Sequence, residues 1–334
     1  MIVDLVDRAA RQWGEWFGRT AGSLRHAILA GGPAHSERAI VFLTARGERR
    51  PRAVVKLAFS PEEALFLSDE AQALGVVRPL LPPRLRESMP ALLDTFQVDH
   101  ISAIVVTALD GRRLLVPDLT RSGLPPAKRL IRSFVRRAFG LSRELAYATR
   151  GPANRHAAFG QIVEQFLQGT SVRVRDKATI RSFAQALDSI SAEWRPSWQH
   201  GDVTVGNVLE DGGELRLLDW EHASPGREPW YDLACQPGAM AMLAKRQAGT
   251  SVRDAILLVL RDDAWPAQVL WAEMTRLWDY PLPLPWAVVL SSMRKAIERP
   301  HGEAPADTPW GVFCLGLLTD ADIRQSMARF APSW

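Results

Sequence analysis

The sequence predicts an α+β protein of two lobes, an antiparallel sheet with one main helix followed by a larger, mostly helical part. Three observations carry that expectation. Short apolar runs bounded by Gly, Pro and Asp fill most of positions 25–109, the pattern of paired strands. From Pro125 onward apolar residues recur at three- and four-residue intervals, as in helices with one buried face. One stretch breaks that helical pattern: Trp198–Leu209 and Leu217–Glu221 flank Asp211-Gly212-Gly213 and read as a β-hairpin on a Gly-Gly turn.

The 334 residues, 47% of them hydrophobic, are enough to bury a core in each lobe. A net charge of +4 is not a nucleic-acid signature. It also counts against a polycationic substrate, which calls for a strongly acidic cleft. No run of about eighteen apolar residues occurs, so no membrane span is expected. Acids at Asp4 and Asp7 stand where a signal peptide has its basic region. Cys235 and Cys314 lie far apart in apolar contexts and read as reduced core cysteines of a cytoplasmic protein. The histidines and cysteines show no zinc spacing.

In chain order, Ile2, Leu5, Val6, Ala9, Trp13 and Phe17 predict a leading helix over 2–17. Strands follow at Arg25–Ala30, Ala39–Thr44 and Arg52–Phe59, the first two joined by Gly31-Gly32-Pro33-Ala34-His35-Ser36. The third carries Lys56 inside an apolar run, and a buried lysine is costly unless paired. Pro61 opens the main helix of this lobe, with Glu62 and Glu63 at its positive end. Ala91–Val98 and Ser102–Leu109 read as an antiparallel pair. Helices are expected at Pro125–Thr149, 153–168, 174–195, 252–263, 265–279, 286–299 and 310–330. The polar positions of the first are nearly all basic, from Lys128 to Arg143, and read as a solvated face. Trp265, Trp271, Trp278 and Trp286 fall at helical intervals and read as core.

The hairpin carries the chemistry. It brings Asn207, near the start of one strand, close to Asp219 at the end of the other, with the carboxylate of Asp202 a loop-width away. Hard oxygen ligands suit Mg²⁺, which takes one or two protein groups and fills its octahedron with water and phosphate oxygens. A third carboxylate nearby suits a base that receives a hydroxyl proton, and together these are the parts of phosphoryl transfer.

The spacing from Asp202 to Asn207 and on to Asp219 matches the catalytic loop and metal motif of protein kinases. Here the motifs read His200-Gly201-Asp202 and Asp219-Trp220-Glu221. In that form the chain resembles the aminoglycoside phosphotransferase and choline kinase group, the small-molecule branch of the protein-kinase-like fold. The resemblance implies a bilobal fold, with residues 1–109 as a nucleotide-binding lobe. Residues 110–334 would form a helical lobe with the catalytic loop, metal site and acceptor site. It implies an enzyme that moves the γ-phosphate of ATP or GTP, with Mg²⁺, to a small-molecule hydroxyl. Asp202 would be the base, and Asn207 and Asp219 the metal ligands. Lys56 would hold the α- and β-phosphates, paired with Glu70 or, as runner-up, Glu63. The loop at 31–36 would cover the phosphates with its N–H groups and the Ser36 hydroxyl. The carbonyl of Thr107 and the N–H of Leu109 would hold the adenine ring, and Asp232 would brace the catalytic loop from below. His200 is expected to brace the same loop, and His222 has no assigned role. Thr204-Val205 stands where many relatives have His-Pro, and the loop at 31–36 lacks a strict Gly-x-Gly form. The alternative is a catalytically silent module of the same fold that binds nucleotide without turnover.

Overall fold

The structure is a computed structural model that describes residues 2–30, 37–114, 119, 125–152, 154–155, 159–168, 172–189, 193–261, 263–298 and 303–330. The chain divides into two compact units. One comprises Met1–Leu114 with His200–Asp202 and Gly206–Ser224, the other Leu115–Gln199, Val203–Val205 and Pro225–Trp334.

The first unit is built on a five-stranded antiparallel sheet. Its strands are β1 (Leu24–Ala30), β2 (Arg38–Ala45), β3 (Ala53–Ala58), β4 (Leu92–Val98) and β5 (Ile101–Thr107), in the order β1-β2-β3-β5-β4. Alternation decides its faces. Val41, Leu43, Val55, Leu57 and Val105 point to the side covered by helix α1 (Ile2–Phe17), which lays down Leu5, Ala9 and Trp13 at four-residue intervals. Each fully buried aliphatic side chain here contributes about 1.5–3 kcal/mol. The opposite parity turns Lys56 toward the other face, where helix α2 (Pro61–Leu80) packs on β3, β4 and β5. The Ser60 hydroxyl accepts the Glu63 N–H and Pro61 occupies the first turn, which fixes where α2 begins.

The hairpin belongs to this unit. Strands β6 (Val208–Asp211) and β7 (Glu214–Leu217) pair in register from Val208↔Leu217 to Asp211↔Glu214. Gly212 and Gly213 lie at φ 58° and 90°, the backbone that a two-residue turn between twisted strands requires. Leu209 and Glu210 pair on the other side with Arg113 and Arg112.

The second unit is helical: α3 (Pro125–Ala148), α4 (Phe159–Leu167), α5 (Val174–Ser189), α6 (Gln236–Ala248), α7 (Val252–Leu260), α8 (Trp265–Leu277), α9 (Leu284–Glu298), α10 (Pro309–Thr319) and α11 (Ala321–Phe330). The helix expected over 174–195 ends at Ser189, and Glu193–Trp194 pairs as a short strand with Asn154–Arg155. The helix expected over 310–330 is two helices. Asp320 ends the first, and its carboxylate accepts the N–H groups of Asp322 and Ile323 to cap the second. Cys235 and Cys314 are free and buried, and burial pushes the Cys235 thiol up to about 12. Trp271 is core, its indole N–H donated to the Val259 carbonyl.

Part of the basic face of α3 is paired within the unit. Arg136 and Arg132 from α3 and Arg276 from α8 all reach the carboxylate of Glu273, at 2.7, 3.7 and 3.0 Å. Arg143 pairs with Asp279. The hydrogen bond from Arg136, helped by Arg276 against the effect of burial, holds the Glu273 carboxyl below its ordinary value. A carboxyl held down in the folded state stabilises above its ordinary value and loses that contribution as pH falls below it. Glu273→Gln should lower the stability read from urea unfolding by about 1 kcal/mol at neutral pH. Wild type and variant should converge as pH is taken down through the carboxylate range.

Candidate active site

Lys56 stands opposite Ile40 of β2 and Ile104 of β5, on the face that meets α2. Its Nζ lies 2.8 Å from both carboxylate oxygens of Glu70 and 2.5 Å from Oδ1 of Asp219. Glu70 is fully buried, and its Oε1 also accepts the Trp220 N–H at 3.3 Å. Burial by itself depresses the pKa of Lys56, but the charges of Glu70 and Asp219 outweigh it and drive the value up. Its ammonium is therefore charged where it stands. Glu63 takes a different cation, Arg38.

Asp219 has a left-handed backbone, φ 54° and ψ 72°, a conformation that costs a non-glycine residue about 1 kcal/mol. The neighbours hold it there. Leu217 N–H bonds the Ser88 carbonyl at 2.7 Å, and Leu218 N–H bonds the Asn207 carbonyl at 2.9 Å. That second bond continues the hairpin ladder and sets Asn207 beside the chain that leads into Asp219.

The loop before Asn207 is held by its own side chains. Gly201, at φ 84°, makes a turn closed to most residues. His200 is buried, with Nε2 2.8 Å from the Leu218 carbonyl and Nδ1 accepting the Asp202 N–H at 3.2 Å. A carbonyl only accepts, so the proton sits on Nε2 and the ring is neutral. Asn207 Nδ2 donates to Asp202 Oδ2 at 2.9 Å and to the Asp202 carbonyl at 3.3 Å, which leaves Oδ1 as the amide's acceptor. The structure thus joins Asp202 to Asn207, and Lys56 to Glu70 and Asp219, with Leu218 bonded to both His200 and Asn207.

The remaining candidates lie apart or outside. Thr107 ends β5 three residues beyond Ile104, about 10 Å along the strand. Its Oγ1 accepts the Ala91 N–H at 2.8 Å, and the Ala108 N–H bonds the Arg52 carbonyl. Leu109 follows, partly exposed. Ser36 and the rest of 31–36 lie outside the described residues. In the second unit Asp232 is buried, its N–H donated to Gln199 Oε1 at 3.3 Å.

Two residues escaped the sequence reading. Gln236, buried, donates Nε2 to the Val203 carbonyl at 2.6 Å and to the Asp232 carbonyl at 3.2 Å. Its amide cannot flip without turning an oxygen onto two carbonyls. A lone polar residue in the apolar run after Asp232 was the signal. Arg38 pairs with both Glu63 and Glu221, and only the separation of seven between Glu63 and Glu70 hinted at it. Glu221 also takes His222 Nε2 at 3.3 Å. Burial would raise its pKa, but His222 and Arg38 outweigh that and hold it down at about 2.

Around Lys56 and Arg38, two cations therefore face four carboxylates. All four carboxylates are thus already paired with cations, and Asn207 lies on the loop bonded to the same segment through Leu218. Among the described residues no group of three or more His, Cys, Asp and Glu is arranged to hold a metal ion.

A model of the phosphotransferase enzyme family matches residues 7–280. The chain belongs to that family. No curated protein matches the sequence. Among solved structures it is similar to a thermostable mutant of the aminoglycoside phosphotransferase APH(4)-Ia in ternary complex with AMP-PNP and hygromycin B. That likeness has 15% identity and a TM-score of 0.54, over 95% of this chain and 97% of that one. It is also similar to ADP-bound aminoglycoside phosphotransferase APH(2'')-Ib, at 11% identity and a TM-score of 0.50, over 96% and 98% of the two chains. At these identities the likeness is one of fold, and the fold is kinase-like α+β. No helix among the described residues is long and apolar enough to cross a membrane.

In this member of the phosphotransferase family, Lys56→Ala would leave the Glu70 carboxylate buried without its counter-ion. Breaking a buried pair from one side costs about 3–5 kcal/mol. Urea unfolding at neutral pH should show a loss of that order, far larger than for a partly exposed lysine such as Lys128.

Proposed function

We propose that the protein is an ATP- and Mg²⁺-dependent phosphotransferase that acts on a hydroxyl of a small molecule. The observation that carries this reading is the Lys56–Glu70–Asp219 cluster, bonded through the hairpin to a loop in which Asn207 holds Asp202. The nucleotide complexes of the two solved relatives support a triphosphate donor, ATP or GTP.

In this reading Lys56 binds the α- and β-phosphates, and Glu70 keeps its ammonium charged and aimed. Asn207 Oδ1 and the Asp219 carboxylate hold Mg²⁺, which supplies charge neutralisation on the phosphates. Asp202, oriented by the Asn207 amide, accepts the proton of the acceptor hydroxyl. The hydroxyl oxygen forms a bond to the γ-phosphorus as the bond from that phosphorus to the bridging oxygen breaks, and ADP leaves. Thr107 and Leu109 offer backbone groups to the base, and the Ser36 hydroxyl offers a donor to the phosphates. The acceptor is a small molecule without a high positive charge, since the chain carries net +4. Two free, buried cysteines support a reducing, cytoplasmic setting.

Two substitutions test the reading with a coupled ADP-release assay over sugars, amino alcohols, nucleosides and antibiotics. Asp202→Ala should cut acceptor-dependent turnover by roughly 10²–10⁴-fold while leaving nucleotide affinity nearly unchanged. Asp219→Ala should weaken Mg²⁺-nucleotide binding itself. Stabilisation by Mg²⁺-ATP in a thermal melt, with no product from any acceptor, would favour the silent module instead.

A further inference from the structure

The Lys56 cluster has a twin. Lys56 on β3 holds Glu70 of α2 and Asp219 of the segment after the hairpin. Arg38 on β2 holds Glu63 of α2 and Glu221 of that same segment. The repeat follows from geometry. Ile40 stands opposite Lys56, so Arg38, two residues before Ile40, is the diagonal neighbour of Lys56 on one face of the sheet. Glu63 and Glu70 are two helical turns apart and share one side of α2. Asp219 and Glu221 are separated by one residue. The result is two rungs, each a cation between a helix carboxylate and a carboxylate of residues 219–221.

The rungs differ in what a nucleotide does to them. Lys56 is engaged by Asp219 at 2.5 Å, and in the phosphotransferase reading both partners turn to ligands, the ammonium to phosphate and the carboxylate to metal. That exchange removes one hold on a backbone that is already left-handed at φ 54°. In that reading Arg38 binds neither phosphate nor metal, and it shares Glu221 with His222. Nε of its guanidinium faces Glu63 and one terminal nitrogen faces Glu221, so one planar fork bridges two elements. Its carbon lies 5.2 Å from the centre of the Phe66 ring, and that ring meets His222 edge-on at 5.9 Å. The guanidinium is thus half-buried beside that ring.

We propose that Arg38 is a positioning residue for the metal-binding aspartate. Through Glu63 and Glu221 it fastens the segment Asp219–His222 to α2, so that Asp219 keeps its place while Lys56 exchanges it for phosphate. This rests on the phosphotransferase reading above. Because the fork serves two carboxylates at once, a lysine at 38 replaces it only in part.

Calorimetric titration of AMP-PNP into the full chain, with and without Mg²⁺, tests the proposal, with unfolding midpoints recorded alongside. Arg38→Ala should weaken Mg²⁺-dependent binding roughly tenfold and change metal-free binding by less than about twofold, with Arg38→Lys in between. Glu63→Gln, which keeps the side-chain shape and touches neither ligand, should show the same selective loss and decides the matter should Arg38→Ala not fold. Equal losses with and without metal, or wild-type behaviour in folded variants, overturn the proposal and leave the phosphotransferase reading standing. A wild-type chain with no Mg²⁺-dependent binding overturns both.

Discussion

One ammonium organises the first unit. Lys56 sits in the middle of an apolar strand, where a charge is tolerated only with its counter-charges in contact. Glu70 and Asp219 supply them from two directions, and each has to be delivered by a separate element. The Ser60 cap and Pro61 fix the start of α2, which settles where Glu70 falls two and a half turns later. The Gly212-Gly213 turn fixes the hairpin register, which settles where Asp219 leaves the sheet. A slip of one residue in either element would leave a buried lysine with the wrong neighbour.

The same economy of fixed groups runs through the loop at 200–207. His200 has both nitrogens engaged, one on Leu218 and one on Asp202, so it braces the loop as a neutral ring. Asn207 uses its amide hydrogens on Asp202 and keeps its oxygen. Val203, which belongs to the second unit, has its carbonyl bonded by Gln236 of that unit. Phosphoryl transfer leaves the protein little covalent work and much positioning. In the proposed reading, the bonds among His200, Asp202 and Asn207 would do that positioning.

Much of this was readable in the chain. The strands of the first sheet and the start of α2 followed from alternation, turn residues and a proline. Asp202, Asn207 and Asp219 stood out as candidates because of their types and their spacing around a single hairpin. Periodicity registers neither of the two departures. Glu193–Trp194 pairs as a strand with Asn154–Arg155 where the helix after 174 was expected to run on, and the carboxylate of Asp320 capped a new helix where the apolar pattern ran on. The basic stripe of α3 could not reveal its partner, since Glu273 lies more than a hundred residues away.

The sequence by itself determined the elements and the chemistry they carry, because periodicity, capping and turn preferences act over a few residues and residue types define what a site is able to bind. Tertiary structure alone decided the pairings. Glu63 and Glu70 share one face of one helix and either could have met Lys56. Which one did depended on the diagonal offset between β2 and β3, and that offset gave Arg38 to Glu63 and Lys56 to Glu70. Ion pairs form between groups that packing brings within a few ångströms, and no local pattern records the distance between residues that meet only when the sheet and helix close on each other.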